Sequence, residues 1–273
     1  MNSHKPIKRS KIRIKLGKTY YTFRKYLEWY FGKKNYAKRV SKELFPYVSF
    51  SHHTPLYRKL KKVDMWMQEN KVNNLRIAIK KLDGIVIHPG ETFSYWKLIG
   101  KPSRRKGYKD GMILFCGGFS AGIGGGLCQL SNMIYWLTLH TPLKITERYR
   151  HSYDVFPDAN RTQPFGSGAT CVYNYRDLQV YNGTEKPYEL HLYMTDEDLI
   201  GEWRTVEKEV YAYRVYEKKH WITQEFWGGY VRHNELYRKV YSMDHEMIAD
   251  EYITENHAIM MYQPLLEGKN INR

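Results

Sequence analysis

The sequence predicts an α+β fold, a few helices packed on mostly antiparallel β-sheet. Two observations predict it. Residues 65–82 and 127–139 repeat apolar side chains at helical spacing. Beyond residue 171 the chain instead alternates apolar and polar residues between turn signals. Helices early and strands late are the pattern of segregated α+β architecture. At 273 residues the chain is long enough to bury a substantial core, as one large domain or two ordinary ones. Its 25 tyrosines favour half-buried strands and contact surfaces over disorder.

The first segment, residues 1–46, is basic. It holds 14 lysines and arginines against Glu28 and Glu43, and so contributes +12 of the net +16. The remaining body is close to neutral. Tyr20, Phe23, Leu27, Tyr30 and Phe31 recur near a helical period within it. Two readings fit this pattern: a basic amphipathic helix lying on an anionic membrane surface, or a solvated helix packing its aromatic side on the body. No nucleic acid is expected as a partner, because no stacking platform or base-reading motif accompanies the charge. The start lacks the uncharged apolar run of a signal peptide or transmembrane helix. By sequence the chain therefore reads as cytoplasmic or peripheral at the membrane.

Further along, "FPYVSFSHHTPLYRK" (45–59) reads as an irregular connector. Met67, Val72, Leu75, Ile79 and Leu82 then share one helix face. A turn at Asp83-Gly84 leads to a short strand, 85–87, and a turn at Pro89-Gly90 to the aromatic stretch Phe93, Tyr95 and Trp96. "MILFCGGF" reads as a buried strand ahead of a glycine-rich turn. Leu127, Leu130, Ile134 and Leu137 mark a helix that ends near Pro142. "LKITERYRHSYDV" reads as a strand opening into a loop, and "NGTE" as a turn between antiparallel strands. Three segments follow: the basic start 1–46, a core domain 64–200, and a β-rich extension 201–273 of that same domain.

The three cysteines, Cys116, Cys128 and Cys171, show neither CxxC nor Cys/His ligand spacing, so no metal and no cofactor are expected. One Cys116–Cys128 or Cys116–Cys171 bridge is compatible with the count. In "GIGGGLCQLS", residues 124–126 let the backbone turn sharply before a helix. A thiol at that helix entrance sits beside unpaired N–H groups at the positive end of the dipole, which stabilise a thiolate. The amides around Gly125, Gly126 and Leu127 could also hold an oxyanion. A buried, inert Cys128 is the alternative reading of the same stretch.

His140, at the far end of that helix, lies ~18 Å from Cys128 at 1.5 Å per residue. His151, at a strand end, is the better base, with Glu147, Asp154 and Asp158 available to orient it. Arg161 could grip a carboxylate bidentately. Asp177 and Asn182 read as turn caps.

"PGETFSYW", "YKDG", "GGGLCQLSNMIYWLTLHTPLKITERYRHSYDVFP" and "DLQVYN" together resemble the VanW family, named for an accessory protein of B-type vancomycin-resistance clusters. The resemblance covers roughly residues 64–200. It implies a cysteine L,D-transpeptidase acting on peptidoglycan stem peptides or precursors, with Cys128 as nucleophile and His151 as base. Such an enzyme works outside the cytoplasmic membrane. The family often has Arg-Asp-Ala-Thr after the histidine; here "NRTQPFGSGAT" retains Arg161 without the adjacent aspartate. The alternative is a non-catalytic accessory protein that binds a precursor or partner at the inner membrane surface.

Overall fold

The computed structural model describes residues 9–57, 64–115, 117–155 and 162–264. It is α+β, with its helices at 11–31, 65–82, 95–99 and 128–139 and its strands predominantly antiparallel.

Helix α1 (Lys11–Phe31) starts at Ser10, whose hydroxyl caps the Arg13 amide, and runs to Gly32. Strands β1 (Asn35–Tyr36), β2 (Arg39–Val40) and β3 (Tyr47–Pro55) follow. Strand β3 lies in the stretch expected to be an irregular connector. It lacks a clean apolar alternation because it is an edge strand, paired on one side to β12 (Asp198–Thr205). Its partner is about 150 residues away in sequence, so no local signal announces it.

Helix α2 (Met65–Leu82) spans the residues its periodicity marks, burying Val72, Leu75, Ile79 and Leu82. Strands β4 (Ile85–Ile87) and β5 (Glu91–Ser94) and the short helix α3 (Tyr95–Ile99) complete the first half of the core. Next, β6 (Asp110–Phe115) and β7 (Gly118–Ile123) form a two-stranded hairpin. This corrects the expected buried strand: Ile113 and Ile123 stay exposed, because among the described residues the hairpin joins no other sheet and packs by one side on α2.

Helix α4 (Cys128–Leu139) is nearly enclosed, with Leu130, Ile134 and Leu137 at zero exposure. It packs on β3, on β12 and on β8 (Lys144–Glu147). The central five-stranded sheet runs β2-β4-β11-β12-β3, where β11 is Tyr188–Met194. A second sheet runs β1-β5-β10-β8, with β10 at Gln179–Tyr181. A third, β13-β14-β15-β9, joins the long strands β13 (Tyr211–Gln224), β14 (Tyr230–Ser242) and β15 (Met247–Met260) to β9 (Tyr153–Asp154). Through β9 this sheet reaches back to the segment just after His151.

Candidate active site around Cys128

The glycine loop between β7 and α4 is tight because it must be. Gly124 and Gly126 take positive φ, of 75° and 88°. A Cβ on Gly125 would stand 2.1 Å from the Gly111 carbonyl, and one on Gly126 2.2 Å from Cγ of Lys71. Buried Asn74 of α2 holds the loop. Its amide donates to the carbonyls of Gly125 and Lys109, both at 3.0 Å, while its carbonyl accepts the Lys109 amide. Fully buried Tyr95 donates from its hydroxyl to the Leu127 carbonyl at 2.9 Å. These contacts fix where α4 begins, and Cys128 is its first residue.

Of the amides expected to hold an oxyanion, Gly125 N–H donates to Gly122 and Gly126 N–H to Met112. Their capacity is therefore spent within the hairpin. Leu127 and Cys128 N–H donate to no other residue among the described ones, so of the three expected amides only that of Leu127 is unspent, with Cys128 beside it.

The wall facing Cys128 is the segment 168–172. Ser131 donates to the Ala169 carbonyl at 2.7 Å, and Asn132 accepts the Ala169 amide. The Cys128 thiol lies 4.0 Å from the Cys171 carbonyl. Both thiols are free, and Cys116 lies outside the described residues. Burial pushes the Cys128 thiol above its ordinary value, against backbone hydrogen bonds from Cys171 and from its own amide that pull it down. Cys171 is buried more deeply and raised further.

The segment carrying His151 runs alongside. Thr170 N–H donates to the Tyr149 carbonyl at 2.8 Å, so the strand end of Tyr149 to His151 and the wall of Cys171 are neighbours. His151 is half-buried. Burial, then the charges of Arg176 and Arg150, push its pKa down to about 4, so the imidazole is neutral at pH 7. Among the described residues no hydrogen bond joins His151 to Cys128. Nor does Glu147 or Asp154 orient it: Glu147 pairs with Lys25 and accepts the Asp177 amide, while Asp154 holds Tyr262 and Arg232. Arg161 and Asp158 fall outside the described residues. His140 stacks on Phe50 and bonds the Trp136 carbonyl at the far end of α4.

Two residues absent from the sequence expectations, Arg148 and Arg176, build this site together with Asp177, which by sequence reads only as a turn cap. Arg148 donates to the Gly168 carbonyl at 2.9 Å, to the Gly166 carbonyl and to Asn256, and lies over the Tyr135 ring. It thereby pins the wall to α4 and to the third sheet. Asp177 is fully buried, accepting from the Ser94 hydroxyl and the amides of Trp96 and Leu178. Burial raises its pKa to about 7, against the Ser94 and Trp96 bonds, with Glu147 adding repulsion. Arg176 pairs through its backbone with Val172, next to Cys171. Its half-buried guanidinium makes no hydrogen bond or ion pair among the described residues and faces the Tyr149 ring at 6.0 Å. The sequence clue was the "RDL" adjacency: a fully buried Asp177 carries its neighbour Arg176 to the site's edge.

Residues 70–204 match the family model described as VanW like protein. Over 167 residues the chain is 40% identical to the vancomycin B-type resistance protein VanW of Enterococcus faecalis (strain ATCC 700802 / V583), covering 61% of each chain. Over 119 residues it is 32% identical to the uncharacterized protein YoaR of Bacillus subtilis (strain 168), covering 44% of this chain and 38% of YoaR. The chain thus spans less than two thirds of the length of these relatives. No solved structure matches it. The matched span holds the glycine loop, Cys128, His151 and the wall that carries Cys171. On this footing the chain carries a VanW-family domain over residues 70–204.

Proposed function

We propose that this protein is a VanW-type accessory protein of glycopeptide resistance and works as a cysteine acyltransferase on peptidoglycan stem peptides. The observation that supports the reading is Cys128 at the first residue of α4, beside the unspent Leu127 and Cys128 amides, with its thiol facing the Cys171 carbonyl. Donors at a helix start favour both a thiolate and the oxyanion formed when it attacks.

The reaction has two half-steps. Cys128 sulfur attacks the carbonyl carbon ahead of a terminal D-amino acid, His151 having taken the thiol proton. The C–N bond breaks, the amine leaves with the proton from His151, and a thioester remains. The amine of a neighbouring stem then attacks the thioester, its proton passes to His151, and the thiol returns. Leu127 and Cys128 N–H hold the oxyanion in both halves. Arg176, with its guanidinium uncommitted, holds the substrate carboxylate. Such tetrapeptide chemistry makes 3–3 cross-links and bypasses the D-Ala-D-Ala target of glycopeptides. The site then works outside the cytoplasmic membrane.

A second reading is a non-catalytic role in binding a cell-wall precursor or a resistance partner. The raised thiol and the lowered imidazole favour it, since proton transfer between them is uphill in the ligand-free protein. Muropeptide analysis of cells producing the wild type or Cys128→Ala separates the two. The acyltransferase reading expects 3–3 cross-links that depend on Cys128. Equal content in both strains supports the binding role.

A further inference from the structure

Helix α1 is amphipathic in an inverted sense. Its polar and charged contacts hold it to the body, while its apolar stripe faces outward. Leu16, Tyr20, Phe23, Leu27, Tyr30 and Phe31 are 42–84% exposed. At 3.6 residues per turn they fall within an arc of about 100°. Lys25 and Trp29, on the opposite side, are buried against the body. Lys25 Nζ bonds Glu28 at 2.9 Å and Glu147 at 2.5 Å; Tyr26 bonds Tyr173; and the Thr22 carbonyl accepts from Asn174. Lys97 reaches the Trp29 carbonyl and the Tyr30 ring. Of the two arrangements open to this helix, the one that packs Tyr20, Phe23, Leu27, Tyr30 and Phe31 on the body is not the one adopted, although Trp29 is buried there. Arg13, Lys15 and Arg24 flank the exposed stripe, and no acidic residue occurs in the helix before Glu28.

We propose that α1 is a membrane-interface helix whose outward stripe enters the headgroup region of an anionic phospholipid bilayer. Two features select a lipid surface over a second copy of the chain. Aromatic side chains with polar tips, here Tyr20 and Tyr30, favour the water–lipid boundary. The flanking cations complement anionic headgroups and would repel the same cations on another copy. The helix does not cross the bilayer: no described helix is long and apolar enough. Its anchors, Glu147 and the Tyr173–Asn174 turn, flank along the chain the stretch that carries His151 and Cys171. Docking α1 therefore holds the Cys128 site next to the membrane surface, where lipid-tethered cell-wall precursors are presented. The docking stands whether or not Cys128 is catalytic.

The test is co-sedimentation of the full chain with vesicles of phosphatidylcholine alone and of phosphatidylcholine mixed with phosphatidylglycerol. The wild type is expected to pellet with the anionic vesicles and to be released by added salt. The Phe23→Ser/Leu27→Ser variant, which leaves Lys25 and Trp29 in place, should bind about tenfold more weakly with an unchanged circular-dichroism spectrum. Equal pelleting with neutral vesicles, or undiminished binding by a folded variant, would overturn the proposal. So would wild type that elutes as a dimer and ignores both vesicle types.

Discussion

The Cys128 thiol is raised and the His151 imidazole lowered to about 4, so the pair rests as neutral thiol and neutral imidazole rather than as thiolate and imidazolium. Burial is the largest cause of both shifts, and the charges of Arg176 and Arg150 lower His151 further. A substrate that brings a carboxylate to Arg176 therefore works in the right direction. Neutralising one cation beside His151 raises its basicity without any movement of the chain. Asp177 illustrates the same physics in a form that stability measures. Its folded pKa of about 7 lies above the ordinary 3.8. The native state therefore binds the extra proton between those values, and this contribution is fully present below about pH 4 and lost as pH rises through about 7. Compared with Asp177→Asn, the wild type should lose stability as pH rises from 4 to 7 in urea titrations. A difference between the two that is flat across that range would show Asp177 to be an ordinary carboxylate.

At the scale of elements, the glycine loop does the positioning. Gly126→Ala places a methyl against the stem of Lys71 at a positive φ, and should cost about 2–4 kcal/mol in urea unfolding. A loss below 1 kcal/mol, roughly the helix-interior Gly/Ala scale, would mean the loop is not held as tightly as described. Much of this layer was legible in the sequence. Helices α2 and α4 announce themselves because their periodicity is local, and Cys128 and His151 stand out through residue type and motif. Strand β3 did not, since its pairing partner lies far along the chain. Arg148, Asn74 and Tyr95 escaped for a related reason. Each acts on backbone carbonyls that only the folded chain brings near, at Gly166 and Gly168, at Gly125 and at Leu127. The amides of Gly125 and Gly126 are spent because they close the hairpin they belong to, which their residue type does not reveal.

Across the whole molecule, polar contacts tie distant segments to one wall. Lys25 brings α1 onto Glu147, Glu147 accepts from Asp177, and Asp177 caps α3 below Tyr95. From the other side, Arg148 and Asn234 attach the 165–168 turn to the third sheet, and Arg238 donates to the carbonyls of Leu139 and Thr141 beyond the end of α4. A cation at that end also favours the helix dipole whose positive end faces Cys128. Residues 201–260 thus brace both ends of the helix that carries the thiol. In the proposed reaction this thiol accepts an acyl group from a stem peptide. Intact-mass and peptide mass spectrometry after incubation with a stem tetrapeptide tests it most directly. The expected product is a hydroxylamine-sensitive acyl adduct on Cys128, absent from Cys128→Ala. A wild-type protein that stays unmodified, or an adduct on Cys171 instead, would contradict it.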